Sequence, residues 1–166
     1  MNPTPGPLPV RVLAVDDEEI VLVALRETLR QQGYSVVTAQ GVVEGLERLQ
    51  KESFAVILSD QMMPGLTGLE FLAQARKLQP EASRLLITAE LNVNTVIDAI
   101  NKAEIFRFIL KPWQRDEFLG TVKAAAERHQ ALVRVKERLA LALAENDCLR
   151  TRIKELERLV GETRPD

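Results

Sequence analysis

The chain has 166 residues, 46% hydrophobic and 28% charged, with a net charge of −2. That suffices for one ordinary domain plus an extension, and the near-neutral balance gives no support for a nucleic-acid partner or an anionic membrane surface. No apolar stretch approaches the roughly 20 residues that a bilayer crossing needs. The neutral start MNPTPGPLP is not a signal peptide, and the lone cysteine, Cys148, has no internal partner. A cytoplasmic protein is expected.

Residues 1–9 carry four prolines and a glycine and are expected to be a disordered lead-in. Val10–Val15 is a β-branched apolar run, predicted as a buried strand. The periodicity then predicts a helix over about Glu19–Gln32, with Ile20, Val23, Ala24 and Leu29 on its inner face and Gly33 just past its end. Tyr34–Ala39 and Val42–Lys51 follow as strand and helix. Phe54–Ser59 is apolar almost throughout, as a central parallel strand covered on both faces should be. After the turn Met62–Gly65 come a helix near Leu69–Lys77, a strand Arg84–Thr88, a helix of about Asn94–Ala103 and a strand Phe106–Leu110. Five strands alternating with helices predict an α/β fold, a doubly wound five-stranded parallel sheet.

In such sheets ligands meet the protein at the carboxyl ends of the strands. Those ends are Asp16 and Asp17 after the first strand, Asp60 after the third, Thr88 after the fourth and Lys111 after the fifth. Three carboxylates meeting above a sheet raise one another's pKa unless something neutralises them. A hard cation does so, and Mg²⁺ takes a few carboxylates with water and phosphate oxygens completing its shell. Lys111 adds an ammonium for Asp60 or for a phosphoryl oxygen, and Thr88 adds a hydroxyl. The set describes phosphoryl transfer onto a carboxylate, which proceeds mainly by positioning and charge neutralisation. An Asp-Asp pair alone reads as a solvated helix cap. The joint pattern, one residue or pair per strand end, is what carries the reading.

The segments VLAVDDE, VILSDQMMPGLTGLEFL, LLITAE and FRFILKPW closely resemble the receiver domain of two-component response regulators, over roughly Val10 to Ala126. The resemblance implies a flavodoxin-like receiver over 10–128 in which Asp60 accepts phosphate from a sensor histidine kinase. It implies that Asp17, Asp60 and the backbone carbonyl of Met62 bind Mg²⁺ directly while Asp16 acts through water. Lys111 would neutralise the phosphoryl group, with a cis peptide at Lys111–Pro112. Thr88 would swing to the phosphate, helped by the amide of the small Ala89, and Phe108 would turn inward as Thr88 moves. The stretch KAEIFR departs from the family pattern by lacking its usual Gly-Ala, and Trp113 follows Pro112. Both features resemble receivers fused to cyclic-di-nucleotide phosphodiesterases or enhancer-binding activators.

A receiver's last helix would stop near His129, but helix-forming residues continue from there without Pro or Gly to about Val160. A helix from Arg115 to Val160 would be on the order of 70 Å long. Its apolar residues alternate spacings of three and four, placing Leu132, Leu139, Asn146, Ile153 and Val160 at heptad position a and Val135, Ala142, Leu149 and Leu156 at d. β-Branched residues at a, leucine at d and a single Asn at a favour a parallel dimeric coiled coil over 129–160, with 161–166 as a tail. Glu145 would meet Arg150 of a second copy, and Arg152 would meet Glu157. Cys148 falls at the outward position c. Residues 113–166 hold eleven Lys/Arg and ten Asp/Glu, so no basic arm precedes the seam and direct nucleic-acid binding is not expected. His129 is the only histidine and is expected to be a surface residue, neither phosphodonor nor zinc ligand. No phosphate-binding glycine loop is present.

The expected function is therefore a phosphoacceptor switch acting as a homodimer. Its output domain is absent from this chain, as in a fragment of a longer regulator, unless the coiled coil itself contacts the partner. Two alternatives remain. An aspartate-nucleophile phosphohydrolase would place its two acids two residues apart after the first strand, whereas here they are adjacent. A scaffold that is never phosphorylated fits poorly with an intact acid set.

Overall fold

The computed structural model describes residues 9–162. Most of the lead-in expected over 1–9, and residues 163–166 of the tail, lie outside them. The chain divides into two compact units, with the boundary between Gln130 and Ala131.

The first unit alternates strand and helix: β1 (Arg11–Asp16), α1 (Glu19–Arg30), β2 (Ser35–Gln40), α2 (Val42–Lys51), β3 (Val56–Asp60), α3 (Gly68–Leu78), β4 (Ser83–Thr88), α4 (Val93–Asp98), a π-helical turn (Ala99–Ala103) and β5 (Arg107–Leu110), followed by α5 (Arg115–Glu162). The strands form one parallel sheet in the order β2-β1-β3-β4-β5. This is the doubly wound α/β fold that the sequence predicts. From β1 the chain steps outward to β2, then returns past β1 to β3, so the order reverses between β1 and β3. Ligand crevices form at that reversal.

Side chains alternate across each strand and divide the core in two. Val12, Ala14, Val56, Leu58, Leu85 and Ile87 face α1 and the first turns of α5, where Phe118, Val122 and Ala125 are buried. Leu13, Val15, Ile57 and Leu86 face α2, α3 and the π-turn through Leu49, Phe71, Leu72, Ala99 and Ala103. All five residues of β3 and all six of β4 are buried, which is why their central runs, Val56–Leu58 and Leu85–Ile87, read as apolar without alternation.

Three predicted features change. α1 turns Leu22, Leu25 and Leu29 inward, whereas Ile20 is 77% exposed and Val23 and Ala24 face solvent. The helix carries two apolar stripes, and only the one that meets Val12, Ala14 and Val56 is core. The predicted helix at 94–103 is α-helical only to Asp98 and then widens into the π-turn. β3 starts at Val56 rather than Phe54, because the Phe54 amide donates to Gln79 Oε1 (2.8 Å) instead of a neighbouring strand.

The second unit is the helical stretch from Ala131 to Glu162, running two residues beyond Val160. Every seam position from Leu132 to Val160 is exposed, as are Leu141 and Leu143.

The corrected α1 face is testable by urea denaturation. Leu25→Ala should cost about 2–5 kcal/mol, while Ile20→Ala should stay within about 0.5 kcal/mol of the parent.

Candidate functional site

The parallel register brings four chain segments to one end of the sheet. Asp16 is the last residue of β1, Asp60 of β3 and Thr88 of β4, and Lys111 directly follows β5. The β4–β5 pairing is held there by Lys111 N–H donating to the Thr88 carbonyl (2.8 Å).

Asp60 is the centre of this group. Its side chain is almost fully buried, with Oδ1 2.6 Å from Lys111 Nζ and Oδ2 accepting from the Met62 amide at 2.8 Å. Burial acts to lower the Lys111 pKa. Its hydrogen bond to Asp60 and the pull of Asp60, Asp16 and Glu18 outweigh that, so the ammonium is held above its ordinary 10.5.

Asp16 is only 1% exposed. Its Oδ1 accepts from the Glu18 amide (2.9 Å), which turns the chain into α1, while Oδ2 is buried without a hydrogen-bond partner. Burial raises its pKa above the ordinary 3.8, opposed by the Glu18 amide; Asp60 raises it further, Lys111 lowers it and Asp17 raises it. Asp17 is half-buried on the following loop, and its carbonyl accepts from Gln40 Nε2 (3.1 Å).

The remaining predicted residues have distinct settings. Thr88 is buried at its strand end, but its hydroxyl donates to the Glu90 carbonyl (2.9 Å), not to Asp60. Ala89 is exposed and, with Glu18, Val21, Lys111, Pro112 and Trp113, lines a groove of about 600 Å³ beside Lys111. Phe108 is half-buried against the α2–α3 side of the core. Lys111–Pro112 is cis, and Trp113 stacks on Phe118 with centroids 5.7 Å apart. The Met62 side chain is 76% exposed, so this residue bears on Asp60 through its backbone.

Two site residues escaped the sequence reading. A Cβ on Gly68 would lie 1.9 Å from the Asp60 carbonyl oxygen, so only glycine lets α3 begin against the end of β3. Gln61 reaches across the same junction and accepts from the Leu69 amide (3.1 Å). The spacing Asp60–Gly68 on either side of a turn is the only sequence signal for this contact. Thr67 and Glu70 then close a capping box on α3, each side chain accepting the other's amide.

The donors suit a hard cation. They are all oxygens, one of them a buried carboxylate oxygen lacking any partner, set among like charges that only Lys111 offsets. Among the described residues no three His, Cys, Asp or Glu side chains gather into a complete metal cage. Mg²⁺ does not require one, since water and phosphate oxygens fill most of its octahedron.

Comparison with known proteins agrees with this geometry. The model of the response regulator receiver domain matches residues 12–123. The chain belongs to that family. It is a receiver domain of the two-component response-regulator type. It is 41% identical over 116 residues to the hydrogenase transcriptional regulatory protein HoxA of Cupriavidus necator, covering 70% of this chain and 24% of that protein. It is 31% identical over 155 residues to the transcriptional regulatory protein GlrR of Escherichia coli, covering 93% of this chain and 34% of GlrR. The matched stretch of this chain thus spans about a quarter to a third of these relatives' length. Among solved structures, adenylate cyclase from Rhodopirellula baltica superposes with a TM-score of 0.74 at 30% identity, covering 80% of this chain and 98% of that one. The response regulator TrrA from Thermotoga maritima, solved with Mg²⁺ and beryllofluoride, gives 0.64 at 28% identity, covering 70% and 98%.

The Asp16 environment has a signed consequence. A carboxyl whose folded pKa is raised binds its proton more tightly in the folded state. Stability therefore falls as pH rises from 3.8 through the raised value and stays lower above it. In metal-free buffer Asp16→Asn should melt above the parent at pH 7, and the difference should shrink as the pH approaches 3.8. A thermal-melt series by circular dichroism checks this.

Proposed function

We propose that this receiver accepts a phosphoryl group on Asp60 from the phosphohistidine of a sensor kinase and passes its state on as a dimer. The observation that carries the first part is Asp60 itself, held through both oxygens by Lys111 and the Met62 amide at the mouth of the sheet. In the reaction an Asp60 carboxylate oxygen forms the new O–P bond while the P–N bond to the donor imidazole breaks, its electron pair returning to the ring. Lys111 already lies at the acceptor and would follow the charge onto the phosphoryl oxygens. Thr88 would exchange its bond to the Glu90 carbonyl for one to the phosphoryl group, with the Ala89 amide beside it and Phe108 filling the space that Thr88 leaves.

Mg²⁺ is the cofactor this reading requires. Asp17, Asp60 and the Met62 carbonyl would hold it, and Asp16 would act through water. The cation supplies neutralisation of the acid cluster and of the incoming phosphoryl oxygens. The relative solved with Mg²⁺ and beryllofluoride supports that assignment.

The second part rests on 131–160, where an exposed apolar seam carries Asn146 at one a position and oppositely charged flanks. A second copy aligned in parallel would bury the seam and pair Glu145 with Arg150 and Arg152 with Glu157. The relatives named as transcriptional regulators extend well past the matched stretch, which favours a transcriptional output module as the recipient of the signal, in the cytoplasm where the kinase's donor histidine would meet it.

Radiolabelled acetyl phosphate with Mg²⁺ should label the parent protein with one phosphoryl group, and Asp60→Asn should abolish the labelling. Labelling that survives this substitution, or sustained phosphate release, would overturn the reading in favour of a phosphohydrolase. Light scattering should report a dimer, and Leu149→Glu, at a d position, should reduce it to a monomer without altering Asp60 labelling.

A further inference from the structure

The residues Arg76, Arg84 and Glu104 have no part in the acid site, yet they hold an unusual piece of backbone. A π-turn is wider and less well bonded than an α-turn and persists where its surroundings support it. Here α4 runs without a break into the π-turn Ala99–Ala103, and the amides of both Glu104 and Ile105 return to the Ala99 carbonyl. The turn seats itself on the core through Ala99 and Ala103, both fully buried. It ends at Glu104 in the left-handed conformation, φ 47° and ψ 54°, a region that glycine occupies far more readily than glutamate.

Two guanidinium groups secure that end. Arg84, on β4, is completely buried. Its Nε donates to the Ala103 carbonyl (2.7 Å) and Nη2 to the Glu104 carbonyl (3.4 Å), while Nη1 reaches the carbonyls of Ala82, Pro80 and Gln79 before β4. Arg76, on α3, donates to the Lys102 carbonyl (3.3 Å). The Glu104 carboxylate lies 2.5 Å from Arg76 and 3.6 Å from Arg84. Burial pushes the Arg84 guanidinium down to about 10, so it remains a cation at neutral pH.

The location gives this trio its meaning. Arg84 and Thr88 are the second and last residues of the same strand, and side chains four apart share a face. Three residues join the π-turn to β5, which carries Phe108 and is followed directly by Lys111. The β4–β5 pair is tied at one end by Phe106 N–H to the Arg84 carbonyl and at the other by Lys111 N–H to the Thr88 carbonyl, 2.8 Å each. The trio thus pins the far end of the strand pair whose near end holds the site.

We infer that Arg76, Arg84 and Glu104 form a latch that holds the π-turn and the start of β5 in the resting arrangement and opposes the phosphorylated one. The inference rests on the phosphoacceptor reading of Asp60. The carboxylate of Glu104 is half exposed, so its removal leaves the buried core untouched. Glycine at 104 keeps the left-handed backbone without strain, and Arg84 keeps its carbonyl partners.

The test uses the full chain with Mg²⁺ and beryllofluoride, read by the fluorescence of Trp113, the only tryptophan, which lines the groove beside Lys111. Glu104→Gly should bind beryllofluoride about fivefold more tightly than the parent, and Arg76→Gln should shift in the same direction. Hydrogen exchange at 99–106 in the parent should quicken on adding beryllofluoride. Unchanged or weaker binding by Glu104→Gly, or exchange at 99–106 indifferent to beryllofluoride, would overturn the latch. Failure of the parent itself to bind beryllofluoride with Mg²⁺ would instead overturn the phosphoacceptor reading.

Discussion

The contact between Lys111 and Asp60 is the interaction on which the rest of the molecule turns. Sheet order makes it necessary: β1 and β3 are neighbours, so the acids ending them stand side by side, and Asp16 is buried with one oxygen unpaired. Such a cluster disfavours the folded state unless a cation is delivered to it. The chain delivers one from β5, which lies beyond β4, so the position of the lysine depends on the β4–β5 pairing. Hence the bond from the Lys111 amide to the Thr88 carbonyl belongs to the electrostatics of the site as much as to the sheet. Gly68 has the same status on the other side, because a larger residue there would push α3 away from the Asp60 backbone.

Much of this was legible in the sequence because β3 and β4 are buried on both faces. Their central runs, Val56–Leu58 and Leu85–Ile87, are apolar without interruption, so the polar residues that end those strands stand out, and Asp16, Asp60, Thr88 and Lys111 all fall at or directly after strand ends, as predicted. What was not legible had specific causes. α1 carries two apolar stripes, and only tertiary packing decides that Leu22 and Leu25 turn inward while Ile20 does not. The π-turn is written in residues that would suit an α-helix. Arg84 looks like a polar interruption at a strand's start, and its burial depends on carbonyls both just before the strand and in the π-turn that follows it in the chain. The bond from the Thr88 hydroxyl to the Glu90 carbonyl is a choice of rotamer that no spacing encodes.

The departure of KAEIFR from the family pattern also acquires a physical account. The stretch lacks the family's usual Gly-Ala, and its left-handed residue is Glu104, whose carboxylate lies beside Arg76 and Arg84. The backbone cost of a non-glycine residue at positive φ is offset by two ion pairs and by capped carbonyls. That exchange makes the junction between α4 and β5 more polar and more dependent on its partners than a glycine turn would be.

The helix beyond Gln130 obeys a different constraint. A single helix of this length with a row of exposed Leu, Ile and Val gains nothing from its apolar face in water, and isolated helices are held together only weakly by their own hydrogen bonds. In the lone chain Arg152 pairs with Glu155 three residues on (2.8 Å), an exposed contact of small worth. A parallel second copy, as proposed, would offer the same arginine Glu157 together with burial of the seam. The seam's one polar residue, Asn146, would bury an amide at some cost, and that cost makes sense only if strand number and register matter. Under that reading the polar amide would trade stability for a single pairing of the two helices.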